Sequence, residues 1–159
     1  MKKLFSSLII SIALGLTMTS VMADNVTDAK AFFNNYVEAA NSYSANIPNF
    51  YSPSAKIIRQ VVKPDGTTAN AYTDTATYVK QMKLSQSIAK VRKYKNNYSS
   101  ITATDLGNGK VKVSALRQPS GETYKLKSYM ILQKQSDGSF KIVEEMMQTK
   151  EQIFLKYAK

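Results

Sequence analysis

The sequence has no cysteine, no histidine and no tryptophan. Without cysteine there is no disulfide to brace the fold in an oxidising compartment, no thiolate nucleophile and no sulfur-ligated metal. Without histidine the commonest general base and the commonest metal ligand are missing. Acids are scarce as well: 11 Asp and Glu stand against 22 Lys and Arg, a formal net charge of +11 of which Lys2 and Lys3 supply two. No apolar run reaches the roughly 20 residues that a spanning helix needs; the stretch from Leu4 to Leu16 is broken by Ser6, Ser7 and Ser11. There is no phosphate-cradling glycine loop, no serine-centred nucleophile elbow and no carboxylate cluster with calcium-loop spacing. No metal and no cofactor is therefore expected.

What is present begins with the N-terminus. Lys2 and Lys3 precede the apolar stretch, and a small and polar segment ends in Val21-Met22-Ala23, which is the order of a signal peptide. Cleavage is expected after Ala23, with residues 1–23 as signal and 24–159 as one domain. That places the protein in the periplasm or outside the cell, with no transmembrane anchor after cleavage. A domain of this length buries roughly two thirds of its unfolded surface around one core.

Along residues 24–159, Phe32, Phe33, Tyr36, Val37, Ala40 and Tyr43 recur at three- and four-residue intervals and predict a helix over about 27–45. Ala55 to Lys63 reads as a strand that turns at Pro64-Asp65-Gly66 and returns through Thr67 to Tyr72. Tyr78, Val79, Met82 and Ala89 predict a second helix over about 74–90, with Thr73 or Asp74 as its cap. Four strands follow, Lys93 to Leu106, Lys110 to Gln118, Glu122 to Gln135 and Ser139 to Gln148, joined by glycine-bearing turns into a meander. Thr149-Lys150-Glu151-Gln152 matches a capping box before a short terminal helix.

Helices, a hairpin, another helix and a meander make an α+β domain. Two segments carry a resemblance: Phe50-Tyr51-Ser52-Pro53-Ser54-Ala55-Lys56-Ile57, an aromatic-rich lead-in to the first strand, and Asp137-Gly138-Ser139-Phe140-Lys141-Ile142-Val143, a final hairpin. Together with the element order, they resemble the nuclear transport factor 2-like superfamily, the cone shared with SnoaL-type cyclases and ketosteroid isomerases. The resemblance implies a cystatin-like layer, with N-terminal helices packed in the concave face of a curved, mostly antiparallel sheet.

It also implies where chemistry would sit. Tyr36 lies near the place of the helix-one tyrosine that serves the ketosteroid isomerases, but Ile58 and Arg59 occupy the places of their strand-one carboxylate. Where the SnoaL-type pattern has a histidine on the last strand, this chain has Glu144 and Met146. Strict alternation would put Phe140, Ile142, Glu144 and Met146 on one face, the concave one under the resemblance, making Tyr36 and Glu144 a candidate acid–base pair. Phe33, Tyr36, Tyr51, Tyr72, Tyr78, Tyr124, Met130, Glu144 and Met146 would line an apolar pocket, and the same aromatic residues would equally make an ordinary core.

Between Asp74 and Asp105 there is no acid. Lys83, Lys90, Arg92, Lys93 and Lys95 there form a basic patch, with Lys80 nearby and Tyr94 and Tyr98 interleaved. On the meander, Tyr124, Leu126, Met130 and Leu132 would share one face, with Lys125 and Lys127 on the other beside Lys110 and Lys112. A small hydrophobic or anionic ligand, an anionic envelope surface rather than a specific nucleic acid, and a homodimer through the sheet are the partners these features suggest. The leading expectation is an exported, non-catalytic binding module. The alternatives are a cofactor-free isomerase or dehydratase using Tyr36 and Glu144, and a dimeric interaction module.

Overall fold

The computed structural model describes the backbone of residues 13–158 and the side chains of residues 24–158. Residues 1–12 of the expected signal peptide, and the side chains up to Ala23, lie outside the described residues. Helix α1 (Ala13–Asn41) buries Ala29, Phe33 and Tyr36 along one stripe, with Phe32, Val37 and Ala40 at its margins. It stops where Tyr43 takes a left-handed φ of 59°. There the Ser44 amide donates to the Ala39 carbonyl at 2.9 Å and the Tyr43 amide to Ala40 at 3.2 Å, closing a Schellman turn without glycine. A 3-10 turn over Ile47–Phe50 leads into β1.

Strands β1 (Tyr51–Val62) and β2 (Thr68–Asp74) form the expected hairpin. Asp74 caps α2 (Thr75–Val91): its carboxylate accepts from the Thr77 amide at 2.8 Å. Helix α2 ends in a second Schellman turn on a non-glycine residue, with Lys93 at φ 50° and the Tyr94 amide donating to Ala89 at 2.9 Å. Strands β3 (Asn96–Gly107), β4 (Lys110–Pro119), β5 (Leu126–Lys134) and β6 (Phe140–Thr149) make the antiparallel meander. The β3–β4 turn needs glycine at Gly109, whose φ is +70° and whose missing Cβ would press on Gln133 and Lys134. The last strand then runs parallel to the first, giving a six-stranded sheet in the order β2-β1-β6-β5-β4-β3.

Both helices pack on one side of this sheet, α1 over β3 and β4 and α2 over β1 and β2. Asn41 ties the end of α1 to the start of β3: its amide donates to the Asn96 carbonyl and its carbonyl accepts from the Asn96 amide, each at 2.9 Å. The core between the layers gathers Phe33, Tyr36, Tyr51, Ile57, Val111, Val113, Met130, Leu132, Phe140 and Ile142, each worth about 1.5–3 kcal/mol when fully buried. Among the described residues no helix is long and apolar enough to cross a membrane.

Two local expectations need correction. The segment after β6 is a 3-10 helix (Gln152–Tyr157), and Thr149 does not cap it as a box; its hydroxyl accepts from the Glu151 amide at 3.1 Å instead. The strict alternation read for the last strand also fails. Opposite consecutive residues Ile131 and Leu132 of β5 stand Glu144 and Ile142, so Val143 is extra and forms a bulge. Past it the faces change parity: Phe140 and Ile142 point inward, as does Glu145, whereas Glu144 and Met146 lie on the outer face.

The burial pattern gives a stability expectation. Leu132→Ala in the closed core should cost about 2–5 kcal/mol in urea unfolding, whereas Leu84→Ala on α2, at a residue that is 69% exposed, should cost less than about 0.5 kcal/mol. A similar cost for both would show that the outward face of α2 is covered.

Candidate functional site

At the centre of the cone, Arg59 and Glu145 face each other from adjacent parallel strands. In β1 the inward row runs Ala55, Ile57, Arg59 and Val61, so the guanidinium is carried into an apolar face. The bulge at Val143 turns Glu145 to meet it, and the carboxylate is 0% exposed. Arg59 Nη1 donates to Glu145 Oε1 at 2.8 Å and to the Ile58 carbonyl at 3.2 Å. Three phenols complete the carboxylate's surroundings. Tyr51 donates a short hydrogen bond to Glu145 Oε2, Tyr36 reaches the same oxygen at 3.4 Å, and Tyr78 reaches Oε1 at 3.4 Å. Tyr36 and Tyr51 also share a hydrogen bond of 2.9 Å.

The aromatic rings that deliver these hydroxyls touch edge to face. Phe140, Phe32, Phe50, Tyr36, Tyr51 and Tyr78 form a continuous series with centroid separations of 5.3–6.3 Å. The Arg59 guanidinium lies 4.8 Å from the centroid of the Tyr78 ring. Burial pushes the Tyr36 and Tyr51 phenols well above their ordinary value of 10.0, and the Glu145 charge pushes them further. Burial also raises Tyr78 and Tyr98. For Arg59 burial acts downward, but Tyr78, Glu145 and Tyr51 outweigh it and the guanidinium titrates above its ordinary range. The result is a carboxylate, a guanidinium and protonated phenols that satisfy one another inside the core. Among the described residues no three carboxylates converge to hold a cation.

The structure brings Phe33, Tyr36, Tyr51, Tyr78 and Met130 together in or against this core. It separates the other four expected pocket residues from them. Glu144 is outside because of the bulge: it accepts from the Tyr129 hydroxyl at 2.6 Å and pairs with Lys56 at 3.9 Å. Met146 follows it to the outer face beside Tyr129. Tyr72, paired with Ile58 on the outer face of β2, is 42% exposed under Lys56. Tyr124 precedes β5 and lies beneath the Lys150 ammonium, 3.9 Å from its ring centroid. The Tyr36–Glu144 pair is therefore not formed; Tyr36 contacts Glu145 instead.

Arg59 and Glu145 were missed as a unit. The signal available was a cation in the inward row of a strand otherwise lined by Ala55, Ile57 and Val61, which requires a buried acid somewhere, with two adjacent glutamates on the last strand as suppliers. The residues of the expected basic patch, Lys83, Lys90, Arg92, Lys93 and Lys95, lie along α2 and just past its end, and all five are exposed.

A cavity of about 130 Å³ lies away from the cone centre, in the elbow between the end of α1, the 3-10 turn and α2. Ala40, Tyr43, Ile47, Pro48, Met82 and Ala89 give it apolar walls, and Lys83 and Gln86 stand at its α2 side. The strained Tyr43 is fixed there by a short hydrogen bond from the Gln86 amide to its carbonyl, while its own hydroxyl is buried with no partner.

No family model matches the sequence. No curated protein matches it either. Solved structures do. A DUF3225-family protein of unknown function from Pectobacterium atrosepticum superposes with a TM-score of 0.60 at 16% identity, over 79% of this chain and 91% of that one. A domain of unknown function with a cystatin-like fold from Nostoc punctiforme gives 0.55 at 14% identity, over 82% and 84%. ActVI-ORFA from Streptomyces coelicolor gives 0.52 at 7% identity, over 77% and 95%. These likenesses show the fold: the chain is an α+β layer with a cystatin-like architecture, as the sequence resemblance implied.

The central pair yields two expectations. Arg59→Met and Glu145→Gln should each destabilise the protein by about 3–5 kcal/mol in urea unfolding, and the double variant by clearly less than the sum, because each single change strands a buried partner. Raising the pH should unfold the protein through its phenols. The folded state holds them protonated, so their contribution is intact below pH 10 and falls as the pH climbs above it. In an ultraviolet titration, Tyr36, Tyr51, Tyr78 and Tyr98 should ionise only together with loss of the folded circular dichroism signal.

Proposed function

We propose that this chain is an exported, non-catalytic binding module with an apolar pocket and a basic outer face. Export rests on the order of residues 1–23: a basic start, a short apolar run and the small-residue ending Val21-Met22-Ala23. The pocket is the cavity at the elbow of α1 and α2, not the centre of the cone. The observation that carries this reading is the apolar-walled cavity lined in part by Tyr43, a residue whose hydroxyl is a buried donor with no partner. Leaving a buried hydroxyl unsatisfied costs about 1–3 kcal/mol, and a shift of the Tyr43 ring that brings it to a ligand oxygen or nitrogen would relieve that cost. Apolar cavities of about 150 Å³ take up molecules the size of benzene, so a ligand of that size with one acceptor suits the space. Lys83 favours an anionic form of it.

A cofactor-free isomerase or dehydratase is the second reading, favoured by the contact of Tyr36 with a carboxylate, Glu145, inside the cone. Against it stand the complete burial of that carboxylate and its pairing with Arg59: a general base must reach the substrate proton. A homodimer would use the outer face of the sheet, where Tyr129, Ile131 and Met146 lie among Lys112 and Lys127.

Native mass spectrometry of protein recovered from its own envelope fraction tests the binding reading. An excess mass over the denatured chain is expected, and Tyr43→Phe should lose it while leaving the urea midpoint of the bare protein unchanged or higher. A bare chain from the native source, or a Tyr43→Phe variant that keeps the ligand, would count against the cavity.

A further inference from the structure

Helix α2 has two apolar faces where a surface helix ordinarily has one. Tyr78, Met82 and Ala89 turn toward the body of the protein, Tyr78 and Met82 against the core. On the opposite side Leu84, Ile88 and Val91 are 69%, 55% and 83% exposed. At about 100° per residue these three fall within roughly 60° of one another, so they form a single stripe along the last two turns. No described residue covers it to any depth. Apart from Tyr94 just past the helix, the other large apolar residues exposed among the described residues, Tyr72, Leu106, Ile153 and Tyr157, lie on different elements.

Cations surround the stripe. Lys80 stands at its upstream end, Lys83 and Lys90 on one flank and Arg92 on the other, and Lys93 and Lys95 continue past the helix. Among the described residues none of these six is in an ion pair, and residues 75–104 contain no acid to offset them. Tyr94, half-exposed where the helix ends, adds an aromatic ring of the kind that settles at a lipid–water boundary. An apolar stripe bordered by long basic side chains is the arrangement of a helix that lies in the plane of a membrane surface. The excess positive charge selects for anionic headgroups.

We infer that α2 is a membrane-surface helix that seats Leu84, Ile88 and Val91 among the acyl chains of an anionic lipid bilayer while Lys80, Lys83, Lys90 and Arg92 contact its headgroups. The inference extends the basic outer face of the proposed function and does not depend on the cavity. The stripe points away from the core, so both faces of the helix can be occupied together. Membrane contact through this face sets α2 as the floor of the protein on the bilayer.

The test uses the purified chain with vesicles of phosphatidylcholine alone or mixed with phosphatidylglycerol. Co-sedimentation is expected with the mixed vesicles and not with phosphatidylcholine alone, weakening as salt is raised. The double variant Leu84→Gln/Ile88→Gln, at exposed positions that leave the core intact, should bind the mixed vesicles about tenfold less well. Lys83→Gln/Lys90→Gln should also weaken binding. Because the chain has no tryptophan, Ile88→Trp supplies a lone reporter whose emission should shift to the blue on the mixed vesicles and resist aqueous quenchers. A reporter that stays in water while the protein sediments would leave only electrostatic adhesion and overturn the insertion. Absence of sedimentation, or a dimer in light scattering that Leu84→Gln/Ile88→Gln dissociates, would overturn it as well. The unsubstituted chain separates the two proposals: if it is recovered bare yet binds vesicles the cavity alone is defeated, and if it carries a ligand yet ignores vesicles the membrane helix alone is defeated.

Discussion

A guanidinium and a carboxylate buried together inside an apolar shell are tolerable only while each keeps the other. Arg59 and Glu145 meet this condition by sitting on neighbouring parallel strands at the middle of the sheet, and much of the interior is arranged around them. Tyr51 reaches the carboxylate from the irregular start of β1, Tyr36 from α1 and Tyr78 from α2. One carboxylate is thus the point at which both helices and the sheet are tied. The series of edge-on aromatic contacts from Phe140 to Tyr78 fixes the rings that bear those hydroxyls, so polar satisfaction and apolar packing constrain the same side chains. Such a centre holds geometry firmly and leaves little for a substrate to approach.

Much of this architecture was legible in the residues. The 3.6-residue spacing of Phe33, Tyr36 and Ala40, the Asp65-Gly66 and Asp137-Gly138 turns and the Asp74 cap each state a local preference that the fold satisfies. Membership of the core followed from the same patterns for Phe33, Tyr36 and Met130. The failure at Glu144 came from a single residue. A bulge leaves no mark in a period-two reading, since its place is set by how β5 and β6 fit around a twisted sheet, and one extra residue exchanges the faces of everything beyond it. Tyr72 and Tyr124 were misplaced for a different reason: aromatic rings also lie on surfaces, where here the ammonium groups of Lys56 and Lys150 cover them. The cavity was hidden because it depends on Tyr43 adopting a left-handed backbone, a conformation that tyrosine gives no reason to expect.

The two helices divide the labour unequally. Helix α1 is held at both ends of its described side chains, by Asn41 to Asn96 and by Asn25, which accepts from Lys134 at 2.9 Å. Helix α2 is fastened through its capped first turn, through Tyr78 and through the Gln86 hydrogen bond to Tyr43, and its second half has much of its circumference in solvent. The basic charge and the spare apolar surface are concentrated in that second half, and the cavity wall comes from the side facing it. Whatever meets α2 from outside therefore meets the segment least constrained by the core.

The parallel pairing of β1 with β6 carries a consequence for how the molecule comes into being. Every other strand pair is formed between neighbours in sequence, whereas β1 waits across some eighty residues for its second partner. Closing so long a loop is entropically expensive and kinetically late. A chain growing from its N-terminus can make the first hairpin and most of the meander as separate pieces, but Arg59 has no counter-charge until the final strand arrives. The sheet is thus joined into one only when β6 pairs with β1, and until then the hairpin and the meander remain two unconnected pieces.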